Sequence, residues 1–85
     1  MNMTKTNIDK LNFKIALQVL VEQFDVTHFE DENGGRKGFF VKNATGESVM
    51  GQIDRQSFVG IWGENELEDR INSAIEEKIK EKGYE

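Results

Sequence analysis

The chain has 85 residues, and its 16 acidic against 11 basic residues give a formal net charge of −5. This acidity predicts that the protein does not bind nucleic acid directly or dock on anionic lipid, because both need a basic surface. The chain has no cysteine, which excludes disulfides and cysteine-based zinc sites. No apolar run reaches the ~18 residues of a membrane span. Without staples or an apolar signal segment behind its first residues, a cytoplasmic protein is expected.

The first predicted element is a helix over about residues 8–24, within one α+β domain over 8–85 that follows a flexible leader at 1–7. Thr6 or Asn7 can cap this helix. Its apolar side chains cover about 200° of the helical wheel, which is more than the ~100° stripe of an ordinary surface helix. This surplus indicates either deep packing between the sheet and the second helix or a homodimer contact.

The middle of the chain predicts short strands at 26–30, 37–42, 48–53 and 58–62, with turns rich in asparagine and glycine between the first three. The last segment is either a fourth strand or an extension of the third past a bulge. Strand alternation places Phe39 and Val41 on one side and Phe40 on the other. Gly51 indicates a bulge or a close backbone approach.

The last predicted element is a helix over about 65–82, with Asn65 as N-cap and Glu68 completing an arrangement like a capping box. A narrow apolar stripe at spacings of three and four supports this helix. The resulting order, α-β-β-β-(β)-α, predicts an α+β fold. We expect an antiparallel meander of three or four strands, with both helices packed on one face and the other face half exposed.

Groups that carry chemistry are few, so the chain is predicted not to be an enzyme. His28 is its one histidine, and no serine lies in a nucleophile-elbow sequence. His28, Glu30 and Glu32 alternate along a strand and so share a face. However, acidic hairpin tips commonly serve solubility, and neither a metal site nor a cofactor is predicted. The element order is also that of double-stranded-RNA-binding domains, but the second helix begins with acidic residues, which would repel RNA.

Carboxylates form the first candidate binding surface. They cluster at the hairpin tip and along the second helix, at Glu30, Asp31, Glu32, Glu64, Glu66, Glu68, Asp69, Glu76 and Glu77. Spaced carboxylates can roughly match backbone phosphates, so the leading hypothesis is an inhibitor that covers the nucleic-acid-binding surface of a basic host protein. In size, acidity and lack of catalytic groups, the chain is similar to small phage or mobile-element inhibitors, including DNA mimics. That similarity is one of profile and includes no motif.

Three alternatives stay open beside this hypothesis. The carboxylates can simply keep a small protein soluble. A protein-interaction subunit can instead use an apolar contact through Phe40, Phe58, Trp62 and Tyr84, because aromatic residues dominate binding hot spots, although Trp62 can equally plug the core. The third alternative is a homodimeric structural protein that uses the surplus apolar surface of the first helix.

Overall fold

A computed structural model of the protein describes residues 5–55 and 58–82, with only the backbone described for 5–11. Its elements are α1 (Lys5–Phe24), β1 (Glu30–Glu32), a 3-10 turn (Asn33–Gly35), β2 (Arg36–Lys42), β3 (Ser48–Ile53), β4 (Val59–Ile61) and α2 (Asn65–Lys82). The strands lie in the order β1-β2-β3-β4, each antiparallel to its neighbour. The predicted α+β meander is therefore confirmed, and the fourth strand is separate from the third.

The first helix begins at Lys5, earlier than predicted, so Thr6 and Asn7 lie inside it and do not precede it as caps. Residues 1–4 of the predicted leader lie outside the described residues, and the flexibility of the leader stays a prediction. The helix ends at Phe24 because Asp25 takes a left-handed conformation, with φ of 60°, which aspartate tolerates better than most residues. Neither helix in the described part of the chain is long and apolar enough to cross a bilayer.

The first strand differs from its prediction, because residues 26–29 do not pair with β2. The N–H of the buried Val26 donates to Leu20 O over 3.1 Å, which ties this residue to the end of α1. Phe29 packs edge-to-face on Phe39, with ring centroids 5.9 Å apart. Residues 26–29 therefore pack on the core, and strand pairing with β2 begins only at Glu30.

The inner face of the sheet and both helices form one hydrophobic core. Cross-strand partners share a face of a sheet, and the pairs Phe39↔Gly51, Gly51↔Ile61 and Ile53↔Val59 lie on the inner face. The buried residues are Ile15, Ala16, Val19, Leu20, Val26, Phe39, Val41, Ile53, Val59, Ile61, Leu67, Ile71 and Ile75. Because α1 and α2 both contribute to this cluster, the prediction that both helices pack on one face is confirmed.

The described side chains of α1 pack mainly into this core. Phe13, Leu17 and Phe24 are partly buried against it, whereas Val21 is 49% exposed. Deep packing therefore accounts for most of the apolar surplus between residues 12 and 24, and a homodimer contact on α1 stays a prediction.

Gly51 marks a close approach and not a bulge. The β2–β3 register runs without interruption from Lys37↔Ile53 to Lys42↔Ser48. A Cβ added to Gly51 would lie 2.8 Å from Cζ of Phe39. The approaching group is thus the ring of Phe39 and not another backbone.

Side chains of α2 close the free edge of β4. Asn72 accepts the N–H of Val59 through Oδ1 and donates from Nδ2 to Val59 O, both over 3.0 Å, and Glu68 Oε1 accepts the N–H of Ile61 over 2.9 Å. Glu68 and Asn72 are four residues apart on a helix, which is about 6 Å, and Val59 and Ile61 are two residues apart on a strand, which is about 6.8 Å. The side chains on α2 are therefore spaced to reach both backbone groups of β4. Glu68 therefore binds β4 and does not complete the predicted capping box, and Asn65 lies inside the helix and does not precede it as N-cap.

Candidate protein-interaction surface

The outer face of the sheet, called the open face below, is not covered by either helix. Alternation turns Gly38 and Phe40 of β2, Met50 and Gln52 of β3, and Gly60 of β4 toward it. Among the described residues, the large apolar side chains that stay exposed are Val21 on α1 and, along the sheet, Phe40, Met50, Phe58 and Trp62. Phe40 and Met50 are cross-strand partners, and neighbouring exposed apolar side chains of this kind are typical of an interaction site.

The alternative in which Trp62 plugs the core is wrong, because its side chain is 83% exposed. Its neighbour Ile61 is buried on the inner face, so strand alternation directs Trp62 outward. Gly63 follows with φ of 77° and turns the chain toward α2. Of the other predicted apolar contacts, Phe40 and Phe58 are exposed, and Tyr84 lies outside the described residues.

Two grooves run across the open face on either side of a ridge. The ridge consists of Phe40 and its cross-strand partner Met50, which are 61% and 51% exposed. The Gly38 groove, about 280 Å³, lies on the β1 side of Phe40, and its walls include His28, Glu30 and Glu32. The Gly60 groove, about 260 Å³, lies between Met50 and Trp62, and its walls include Gln52, Asn65 and Glu68.

The glycines at the floors of the two grooves, Gly38 and Gly60, differ in the space around them. A Cβ at Gly38 would lie 2.6 Å from Oε2 of Glu32, whose side chain crosses the strand to accept a hydrogen bond from Gln52 Nε2 over 2.7 Å. A Cβ at Gly60 would meet no atom within 4 Å. Sequence reasoning missed Met50 and Gly60, although the alternation of Met50 with the inward Val49 was a usable signal.

The three hairpin carboxylates do not act as one group. Glu30 and Glu32 pair with β2 residues Gly38 and Arg36 and line the Gly38 groove. Asp31 lies on the other face of the strand and forms an ion pair with its cross-strand partner Lys37. The structure therefore places only the first two on the open face.

The six predicted carboxylates in α2 and directly before it also divide into two groups. Glu64 accepts a hydrogen bond from Asn43 Nδ2 over 3.2 Å, and Glu68 accepts from Ile61, so both have partners within the fold. The remaining four are exposed on the side of α2 away from its buried stripe. We call these the α2 ridge, consisting of Glu66, Asp69, Glu76 and Glu77.

The predicted carboxylates thus occupy four places and not one surface. Because β1 and β4 are the two edges of a four-stranded sheet, the carboxylates of β1 are about 14 Å, measured across the strands, from the β4 edge that Glu68 contacts. The open face also carries two cations at the ends of β2, Arg36 opposite Glu32 and Lys42 opposite Ser48. Neither of these two lines a groove.

Within the residues that the structure describes, no group of three or more histidine, aspartate or glutamate side chains is placed to hold a metal ion. No protein-family model, curated protein or solved structure matches the chain. Function is therefore inferred from the open face, its two grooves and the α2 ridge.

Proposed function

We propose that this is a non-catalytic binding protein whose open face docks a basic, partly apolar segment of another protein. One observation carries the proposal. The exposed side chains of Phe40, Met50 and Trp62 flank two grooves that have carboxylates in their walls. Aromatic residues and methionine are enriched at protein interfaces, and methionine adapts its shape to irregular partners. Such a surface provides apolar contact area at its centre and charge selection at its sides.

Charge favours a basic partner over an acidic one or a second copy of this chain. Glu30 and Glu32 line one groove and Glu68 lines the other, and the whole chain carries a net charge of −5. Opposite charge accelerates encounter with a basic segment, whereas like charges facing each other are costly. Within this proposal, the partner is a basic host protein in the cytoplasm, and a nucleic-acid-binding protein whose basic surface becomes covered fits the same chemistry.

The α2 ridge supports a second candidate, the phosphate-mimic inhibitor. Its four exposed carboxylates extend from Glu66 to Glu77, about 16 Å along the helix axis. That length spans several phosphates of one DNA strand at ~3.4 Å each. Three exposed cations on the same helix, Arg70, Lys80 and Lys82, dilute this row of charge, which is why the open face is the stronger candidate.

One comparison separates the two candidates. Three immobilised proteins are exposed to host extract at low and high salt: the wild type, an open-face variant with Phe40→Thr and Trp62→Ala, and a ridge variant. The ridge variant carries Glu66→Gln, Asp69→Asn, Glu76→Gln and Glu77→Gln. We expect the wild type and the ridge variant to retain the same basic proteins from the extract, and the open-face variant to lose them.

The opposite pattern, retention by the open-face variant and loss from the ridge variant, would replace the open face with the phosphate-mimic surface. Equal retention by all three proteins would reject both surfaces. Because the substituted side chains are exposed, urea midpoints of the three proteins should agree, which keeps the comparison independent of folding.

A further inference from the structure

We infer that the Gly60 groove receives a single arginine side chain of the partner. This inference deepens the proposed function and rests on it for the partner, but the groove can be tested by itself. Its volume, about 260 Å³, lies below the ~300 Å³ at which pockets for small organic ligands begin. A groove of this size suits one side chain.

Gly60 is the first observation that points to an occupant. Glycine weakens a strand, and within strands it commonly marks a place where another group approaches closely. Gly60 does not have the positive φ that would require glycine, and a Cβ there would meet nothing within 4 Å. The fold therefore gives no reason for glycine at this position, whereas a group entering between Met50 and Trp62 needs the space.

The walls of the groove select a planar cation with an apolar stem. The exposed indole of Trp62 presents a face on which a guanidinium can stack, and Met50 offers apolar contact to the methylene groups. Glu68 is the one charged residue among the described lining residues. One hydrogen bond, to the N–H of Ile61, uses only part of the acceptor capacity of its carboxylate.

Arginine fits this wall better than lysine. The guanidinium is planar, stacks on aromatic rings and donates two parallel hydrogen bonds to a carboxylate, while an ammonium is a compact and strongly hydrated point charge. The side-chain amides of Gln52 and Asn65, which also line the groove, add carbonyl oxygens that accept from the remaining guanidinium N–H groups.

The test is a titration of the protein with N-acetyl-arginine amide, followed by amide chemical shifts and by the fluorescence of Trp62, the only tryptophan of the chain. N-acetyl-citrulline amide is the matched neutral probe. We expect chemical-shift changes centred on Gly60 and Trp62. The citrulline probe should bind at least about fivefold more weakly than the arginine probe.

Two variants locate the site. Gly60→Thr places a side chain in the groove, and Glu68→Gln removes the charge but keeps an oxygen that accepts the N–H of Ile61. Both should weaken arginine binding about fivefold or more. Ser48→Thr, an exposed position on the same face that does not line the groove, should bind like the wild type.

Equal binding of arginine and citrulline, or unchanged arginine binding by Gly60→Thr and Glu68→Gln, would overturn the inference. The proposed function would survive that result if the open-face variant still lost its protein partner. Conversely, arginine binding in the groove without any protein retained through the open face would reject the proposed function and leave the groove assignment in place.

Discussion

The two faces of the sheet are built from neighbouring residues with opposite fates. Phe39, Ile53 and Ile61 turn inward and are buried, whereas Phe40 and Met50 turn outward and stay more than half exposed. On the inner face, the need to fill the core explains each apolar residue. On the open face nothing within the described fold requires a large apolar side chain, so the reason for these residues is sought outside the domain.

The two edges of the sheet teach a related lesson. The β4 edge is closed by hydrogen bonds between its backbone and the side chains of Asn72 and Glu68. The opposite strand, β1, is only three residues long and entirely acidic. Short or charged edges discourage pairing with another strand. Both edges are therefore protected against pairing with a further strand. The open face, and not an edge, is the part of the sheet that is available for contact with another molecule.

The largest expected effect comes from the inner side. Ile71 is 0% exposed, so Ile71→Ala should lower the free energy of unfolding by about 2–5 kcal/mol. Urea denaturation measures this change. Phe40→Thr, which removes a larger side chain from the open face, should change it by less than about 0.5 kcal/mol. A loss for Phe40→Thr as large as that for Ile71→Ala would abolish the contrast between the faces.

Next is the closed edge. Asn72→Ala leaves both the N–H and the C=O of Val59 without their partner, which should cost about 1–3 kcal/mol and accelerate amide exchange at Val59. Ser73→Ala, an exposed neighbour on the same helix, is the control. Unchanged exchange at Val59 in Asn72→Ala would show that the edge does not depend on this side chain.

Two glycines sharpen the contrast between the faces. Gly51→Ala should destabilise the protein by about 1–3 kcal/mol, because the added Cβ would overlap the ring of Phe39. Gly60→Ala should leave stability unchanged or raise it by up to about 1 kcal/mol, since the Cβ meets nothing. Thermal denaturation measures the stability of both variants. A destabilised Gly60→Ala would contradict the view that the fold does not require glycine at this position.

The smallest effect concerns the charge of Glu68. Glu68→Gln should change the free energy of unfolding by less than about 0.5 kcal/mol, because the amide oxygen still accepts from Ile61, whereas Glu68→Ala should cost about 1 kcal/mol. Equal losses in the two variants, measured by urea denaturation, would mean that the charge itself stabilises the edge.

Local patterns predicted much of the fold. The alternation in β3 and the apolar stripe of α2 place both elements at 48–53 and 65–82, as the structure has them. Contacts between distant segments decided the rest. Residues 26–29 have the composition of a strand, but the end of α1 and the ring of Phe39 hold them outside the sheet.

The candidate site was predicted only in part. Phe40 and Trp62 were identified as possible contacts, and the structure exposes both. The nine carboxylates looked like one acidic surface, since sequence spacing does not reveal that Asp31 pairs with Lys37 or that Glu68 binds β4. Gly60 acquires its meaning only from its neighbours in space.

The central claim, that the open face is the binding surface, is tested most directly by the accessibility of Trp62 to acrylamide. Fluorescence quenching is measured for the free protein and for its complex with a tryptophan-free segment of the captured partner. Because Trp62 is 83% exposed in the free protein, its quenching should be strong alone and fall severalfold in the complex. Unchanged quenching in a saturated complex would place the partner elsewhere and contradict the account.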